Sequence, residues 1–453
     1  WEGFERDLDR WTYNALKVLE ARYLIRDPEA WRFRETPYML LWRVARAIAS
    51  IEKPEKRDYY ARRFFEILAD GVFMPNGPTL MNAGTPNSML SACFVIPVRD
   101  ALTTPDGEGI LDALRAQAII QKHGGGTGFS FTELRPKWDP IHTTGGTSSG
   151  PLSFMKLFDT MTDVVKQGGK RRGANMGIME VWHADIRDFI KAKTGELRDV
   201  NLQNFNISVM VTDDFMYRAL AGLDWPLVNP RKTSVDGSRD SRKYAYVKAR
   251  HYFADDWVAE FILDELEKRG GSIALDETRL ITFDEAMAIA EHNGADVDRV
   301  DARDLLLEIV EGAWDSGDPG IISLDTVNAR HPVWYLDKVN STNPCSEAIL
   351  RAWEPCNLGS INLAKLVRGD GTIDYERLEE TIRFAVRFLD NVIDVNRLPI
   401  DKMERANKET RKIGLGVMGW AHLLMKLGIP YASVDALYLA WHLSDFIARV
   451  AIH

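Results

Sequence analysis

Cysteine is nearly absent from this chain, with three residues in 453. No Cys-x-x-Cys pair occurs, and the cysteines and nine histidines fall at no zinc-binding spacing. An odd cysteine count with no secretory pattern at the front argues against a disulfide framework and for a reducing, cytoplasmic setting. Long apolar runs are missing too. No stretch of about 18 apolar residues exists, so no transmembrane helix and no membrane partner are expected. A basic excess is also lacking: 57 Lys and Arg face 66 Asp and Glu, for a formal net charge of -9. That excludes a non-specific grip on nucleic acid or on an anionic membrane. No repeat with a period of about 20–50 residues is evident. The sequence begins at Trp1 with no Met, and it reads as cut at its front.

What is present fits a globular protein with a sizeable core: 45% hydrophobic and 27% charged residues. Apolar residues recur at three and four in 15–24 and again in 38–48, which predicts a helical N-terminal domain over 1–72. From 73 onward the texture changes. Glycine clusters at 124–128, 145–150 and 168–173 alternate with short apolar runs such as 93–98 and 207–211. Such alternation predicts an α/β catalytic domain over 73–453. Residues 236–300 are more polar and read as an inserted surface element, with helical stretches at 257–268 and 283–291. A long amphipathic helix is expected over 375–396, with Leu378, Ile382, Val386, Leu389 and Ile393 as its apolar stripe and Pro399 beyond its end.

The chemistry is concentrated around the cysteines. Asn343, Cys345 and Glu347 recur at every second position. Pro344 disfavours the helical region for Asn343, so an extended segment is expected, with amide, thiol and carboxylate on one face. Such a trio can hold a hydroxyl, carry one- or two-electron chemistry and take a proton. The same pattern also fits a buried strand cysteine with polar neighbours. Cys356 follows eleven residues after Cys345, and Cys93 lies far upstream. Spacing alone leaves open whether Cys93 and Cys356 approach Cys345 or each other. The glycine clusters can cradle phosphate, yet none has a Walker or Rossmann pattern. The loop 166–175 adds cations and amides, which suit phosphate and base edges, or simply a solvated basic loop. His331 is the histidine nearest Cys345 in sequence, the minimum a thiol hydrolase would need; that reading leaves the other two cysteines unexplained.

Taken together, the segments Met74 to Pro86, Leu90 to Val95, His123 to Gly128, Gly168 to Gly177, Gly317 to Ile322, Asn343 to Glu347 and Cys356 to Leu363 resemble the catalytic large subunit of ribonucleotide reductase. The likeness is greatest to the class II, adenosylcobalamin-dependent ribonucleoside-diphosphate reductases, which share the proline of Asn343-Pro344-Cys345. The polar insert is not covered. The resemblance implies a helical domain followed by part of a ten-stranded α/β barrel, with the Cys345 segment as a finger loop. It implies that Cys345 is the thiyl-radical residue, that Glu347 deprotonates the 3′ hydroxyl and that Asn343 binds the ribose hydroxyls. Cys93 and Cys356 become the reducing pair, which ends as a disulfide. Thr79, Ala92, Gly124 and Gly125 become substrate contacts. Asp100, Lys166, Gln167 and Arg171 become effector or specificity residues.

The partners so implied are a ribonucleotide substrate (diphosphate or triphosphate), a deoxynucleoside triphosphate effector, a thioredoxin-like reductant and a second copy in a homodimer. The family's second half, with another phosphate loop and often a terminal cysteine pair, has no counterpart before His453. The sequence therefore reads as an N-terminal fragment with an incomplete barrel. The alternative function is a truncated, non-catalytic nucleotide-binding module.

Overall fold

In a computed structural model of the chain, residues 11–230 and 297–453 are described, apart from 28, 31, 142, 166–172, 199, 335, 337 and 338. Three helices come first: α1 (Tyr13–Arg22), α2 (Pro37–Ala49) and α3 (Arg57–Ala69). Thr12 and Thr36 cap the first two by accepting from the Ala15 and Met39 amides, and Pro37 fills the first position of α2, where no amide is needed. Leu40, Leu41, Val44 and Ile48 of α2 are buried against Phe64 and Leu68 of α3.

Most of the described strands lie in two sheets, with two short antiparallel pairs besides. Strands β2 (Cys93–Val95), β3 (Gly126–Ser130), β4 (Asn175–Glu180), β5 (Phe205–Val211) and β6 (Gly320–Ser323) form a parallel sheet in the order β6-β5-β4-β3-β2. Crossover helices α4 (Ile110–Lys122) and α5 (Pro151–Val164) cover one face of it. On that face Phe129, Phe205, Ile207 and Val209 pack with Ile120 and Phe158 in the largest apolar core. The opposite face carries Cys93, Gly126, Gly128 and Met176, because neighbours along a strand point to opposite sides. A second sheet joins β1 (Phe73–Pro75), antiparallel, to β7 (Leu358–Asn362), and β7, parallel, to β8 (Gly414–Met418). The fold is thus a helical N-terminal region followed by mixed α/β structure, as the sequence leads one to expect. No described helix is long and apolar enough to cross a membrane.

The amphipathic helix at 375–396 is present as α6 (Tyr375–Val395), and it joins the first core. Phe388 meets Phe64 and Phe73 edge to face, at centroid distances of 5.2 and 5.4 Å. Arg387 binds Glu52 through two nitrogens, at 2.6 and 2.8 Å. The N-terminal helices therefore share one hydrophobic core with α6 rather than closing on themselves. Pro399 lies four residues beyond the helix end, which Asn396 makes by turning extended. Its side chain then accepts from the Leu90 amide and donates to Ser91, both at 2.8 Å.

The polar stretch read as an insertion over 236–300, with its two expected helices, lies outside the described residues except at its end. There Val297–Asp301 is a strand, antiparallel to Asp224–Val228.

The shared core makes a direct prediction. Phe388→Ala should destabilise the chain by about 3–5 kcal/mol, the usual cost of deleting a buried aromatic ring. Urea denaturation followed by circular dichroism measures it.

Candidate active site

Between β6 and β7 the chain forms a finger. Thr342 and Ile349 pair antiparallel, and the tip lies between them. The sequence predicts an extended segment here, and the structure corrects that to a turn. The Ser346 amide donates to the Asn343 carbonyl at 3.0 Å, the mark of a β-turn over 343–346. Pro344 stands at the second position of that turn, where its fixed φ is favoured. Ser346 is left-handed, with φ 63°, a conformation that costs a residue with a side chain about 1–2 kcal/mol. The turn still joins two of the three expected partners. Asn343 Nδ2 donates to Glu347 Oε2, and Asn343 Oδ1 accepts from the Ala348 amide at 3.0 Å. Asn343 is buried, while Cys345 and Glu347 are exposed at the tip.

Two glycines seat the finger on the sheet. A methyl group on Gly128 would lie 1.7 Å from the Thr342 carbonyl oxygen, and one on Gly126 would lie 2.9 Å from Pro344 Cγ. Asn206 on β5 donates to the Pro344 carbonyl at 2.7 Å. At the base, Lys412 Nζ donates to the Ile349 carbonyl at 3.2 Å and to Glu354 Oε2 at 2.6 Å. His331 Nε2 sits 3.1 Å from the same ammonium, and burial, with that cation beside it, pushes the imidazole down to about 4. His331 thus partners Lys412 at the base of the finger, and the thiol-hydrolase reading gains no support from it.

Cys93 and Cys356, 263 residues apart, are brought into contact. The Cys356 amide donates to the Cys93 carbonyl at 2.9 Å, and the Val95 amide to the Glu354 carbonyl at 3.3 Å. Neither is in a disulfide, and both are buried, in a small apolar nest with Ala92, Val95, Leu350 and Leu358. The Cys356 thiol is pushed well above the usual thiol range by its hydrogen bond with Cys93, by burial and, in smaller part, by the charge of Glu347. The finger tip and the thiol pair are thus electrostatically linked. Two adjacent thiols can release two electrons by closing to a disulfide.

The other residues singled out by sequence divide. Thr79 is buried, and its hydroxyl donates to the Leu90 carbonyl at 3.1 Å, just before the Cys93 strand. The Ala92 carbonyl accepts from Gly126 at 2.7 Å. Gly124, with φ 92°, and Gly125, where a methyl would sit 2.4 Å from Ile120, make the tight turn from α4 into β3. Asp100 lies beyond the other end of β2, paired with Arg135 through two oxygens at 2.9–3.1 Å. Lys166, Gln167 and Arg171 fall outside the described residues. Sequence reasoning missed Lys412, Asn206, Asn396 and Arg135. None belongs to a local motif, since each acts on a segment at least 35 residues away. Among the described residues no group of three or more His, Cys, Asp or Glu is placed to hold a metal.

Three outcomes test this geometry. At pH 8, iodoacetamide should label Cys345 at least about tenfold faster than Cys356, because the thiolate is the reactive form. Glu347→Gln should speed labelling of Cys356, since removing a negative neighbour lowers a thiol's pKa and enlarges its thiolate fraction. Peptide mass spectrometry reads both rates. Gly128→Ala should lift the finger, destabilise the chain by about 1–3 kcal/mol and open the thiol pair to labelling. Gly369→Ala, where a methyl group meets nothing within 4 Å, should do neither.

Comparison with known proteins identifies the two regions of the fold. Residues 10–88 match the all-alpha domain of ribonucleotide reductase, and residues 91–453 match its barrel domain. The vitamin B12-dependent ribonucleoside-diphosphate reductase of Thermoplasma acidophilum is 38% identical, over 98% of this chain and 56% of its own length. That of Mycobacterium tuberculosis is 39% identical, over 98% of this chain and 55% of its own length. The ribonucleoside-diphosphate reductase subunit alpha of Chlamydia muridarum is 33% identical, over 99% and 39%. The chain spans about half the length of the B12-dependent relatives it matches. With two domain matches that together cover nearly all of it, the chain belongs to the ribonucleotide reductase large-subunit family.

Proposed function

We propose that this chain carries the reducing centre of a cobalamin-dependent ribonucleotide reductase, which converts ribonucleotides to 2′-deoxyribonucleotides. One observation carries the reading: an exposed thiol beside a bonded amide–carboxylate pair, with a buried thiol pair within the electrostatic reach of that carboxylate. Cys345, as a thiyl radical, takes the 3′ hydrogen atom of the ribose. Glu347 accepts the 3′ hydroxyl proton, and Asn343 holds Glu347 in place while its amide faces the sugar hydroxyls. The 2′ hydroxyl leaves as water. Cys93 and Cys356 supply the two electrons and two hydrogens and close to a disulfide, so the sum is ribonucleotide plus dithiol to deoxyribonucleotide, water and disulfide. Cys345 then recovers its hydrogen at the end of the cycle.

The residues present fit adenosylcobalamin. A corrin brings its own four nitrogen ligands to cobalt, so a protein cluster of metal ligands is not required, and the radical-bearing thiol stands exposed at a finger tip. When bound, the cofactor would supply the radical chemistry, and Cys345 would be the residue that gives up a hydrogen atom to it. Ribonucleoside diphosphate is the substrate to test first, because both B12-dependent relatives carry it in their names. A thioredoxin-like dithiol would reopen the Cys93–Cys356 disulfide. Asp100 with Arg135, and the loop holding Lys166, Gln167 and Arg171, would take a deoxynucleoside triphosphate effector, in a homodimer.

A second reading is nucleotide binding without turnover. One paired experiment separates the two. The chain is incubated with ribonucleoside diphosphate, adenosylcobalamin and dithiothreitol, and titrated calorimetrically with deoxynucleoside triphosphates. Reduction predicts deoxyribonucleotide from the unaltered chain, none from Cys345→Ala, and at least about a thousandfold less from Cys356→Ser, which cannot form the disulfide. Heat of binding without product supports the second reading.

A further inference from the structure

Five described residues other than glycine adopt a left-handed backbone: Trp138, Leu202, Ser346, Trp353 and Arg411. Such a conformation persists where the surroundings fix it. Two of the five show how. The Trp353 indole donates to Glu108 at 2.9 Å, and Arg411 binds both Asp390 and Asp394. Ser346 has a smaller anchor. Its hydroxyl oxygen lies 3.3 Å from Thr342 Oγ1, in a hydrogen bond between the first and fifth residues of the finger tip. Thr342 Oγ1 donates its one proton to the Asn343 carbonyl at 3.0 Å, the same carbonyl that accepts the Ser346 amide, which leaves the Ser346 hydroxyl to donate to Thr342. The two hydroxyls and the turn's own hydrogen bond therefore converge on Asn343. Ser346 itself sits between Cys345 and Glu347, so its backbone angles decide where both side chains point.

We propose that Ser346 is a positioning residue whose hydroxyl, bonded to Thr342, locks the finger tip in the turn that holds Glu347 against Asn343 beside Cys345. The proposal deepens the reductase reading and rests on it for its catalytic meaning. Its structural content stands apart from that reading: the Ser346–Thr342 bond fixes the tip. Glycine would occupy the same backbone conformation with less strain, so serine is kept at the expense of local stability. That opposition of sign gives the test.

Ser346→Gly, Thr342→Val and Thr342→Ser are compared with the unaltered chain by thermal melting and by amide hydrogen exchange over 340–350. Ser346→Gly is expected to raise the melting midpoint while exchange of the Ala348 amide accelerates at least about tenfold, a population shift of about 1.4 kcal/mol. Thr342→Val should loosen the tip in the same way. Thr342→Ser, which keeps a hydroxyl, should restore protection. Unchanged exchange in Ser346→Gly overturns the proposal. In the turnover assay Ser346→Gly should lower kcat about tenfold with KM little changed; full turnover despite a loosened tip also overturns it. An unaltered chain that forms no deoxyribonucleotide refutes the reductase reading, and the exchange data still decide on Ser346.

Discussion

Everything at this site depends on a close approach of two backbones. The finger can lie on the sheet only because Gly126 and Gly128 present no side chain to it, and at Gly128 even a methyl group would overlap the Thr342 carbonyl. The two glycines are two apart on one strand, so they open the same face. The alternating residues Thr127 and Phe129 point the other way. Phe129 enters the apolar core, and Thr127 donates to Asn175 at 2.7 Å in a buried cluster of amides and hydroxyls with Gln117, Gln121 and Thr162. One strand thus serves both purposes: smooth towards the finger, bulky and polar towards the helices. The sheet gains its core on one side and leaves the other side shallow enough to accept a loop that carries chemistry.

Electrostatics then distinguishes the thiols. Cys345 stands exposed on the turn, whereas Cys93 and Cys356 share an apolar nest with Ala92, Val95 and Leu350. Its hydrogen bond with Cys93 and burial push the Cys356 thiol well above the usual thiol range, which favours the protonated form that donates hydrogen. A largely buried ion pair, Lys412 with Glu354, pins the base of the finger. A separate line of contacts ties the pair to the helical region, because Asn396 at the end of α6 grips Leu90 and Ser91 just upstream of Cys93.

Much of this was legible in the sequence, for identifiable reasons. The helices of the N-terminal region and α6 announced themselves by period, and the parallel sheet by short apolar runs between glycine-rich turns. The chemical trio of the finger was legible as residue types, but its shape was misread. The rule that a residue before proline avoids the helix is satisfied equally by a strand and by a turn, and the Asn-Pro pair as a turn opener carried the better signal. The contact of Cys93 with Cys356 was out of reach of spacing, since a separation of 263 residues says nothing about proximity. Lys412 and Asn206 escaped for the same reason. Their partners are set by how strands are ordered in the sheets.

The partnership between α6 and the N-terminal helices carries a consequence for how the chain is made. Glu52 and Arg387 are 335 residues apart, and the apolar faces of α2 and α3 are completed by Phe388 and its neighbours. At roughly 5–20 residues per second, a ribosome needs on the order of a quarter of a minute to a minute to span that separation. Throughout that interval Phe64 lacks its ring partner Phe388, and the apolar faces of α2 and α3 stay partly open to other apolar surfaces. The thiol pair shares the delay, because Cys356 emerges only about 30 residues ahead of Phe388. For a growing chain, the first residues to appear are among the last to be buried, and the reactive centre assembles in the same late step.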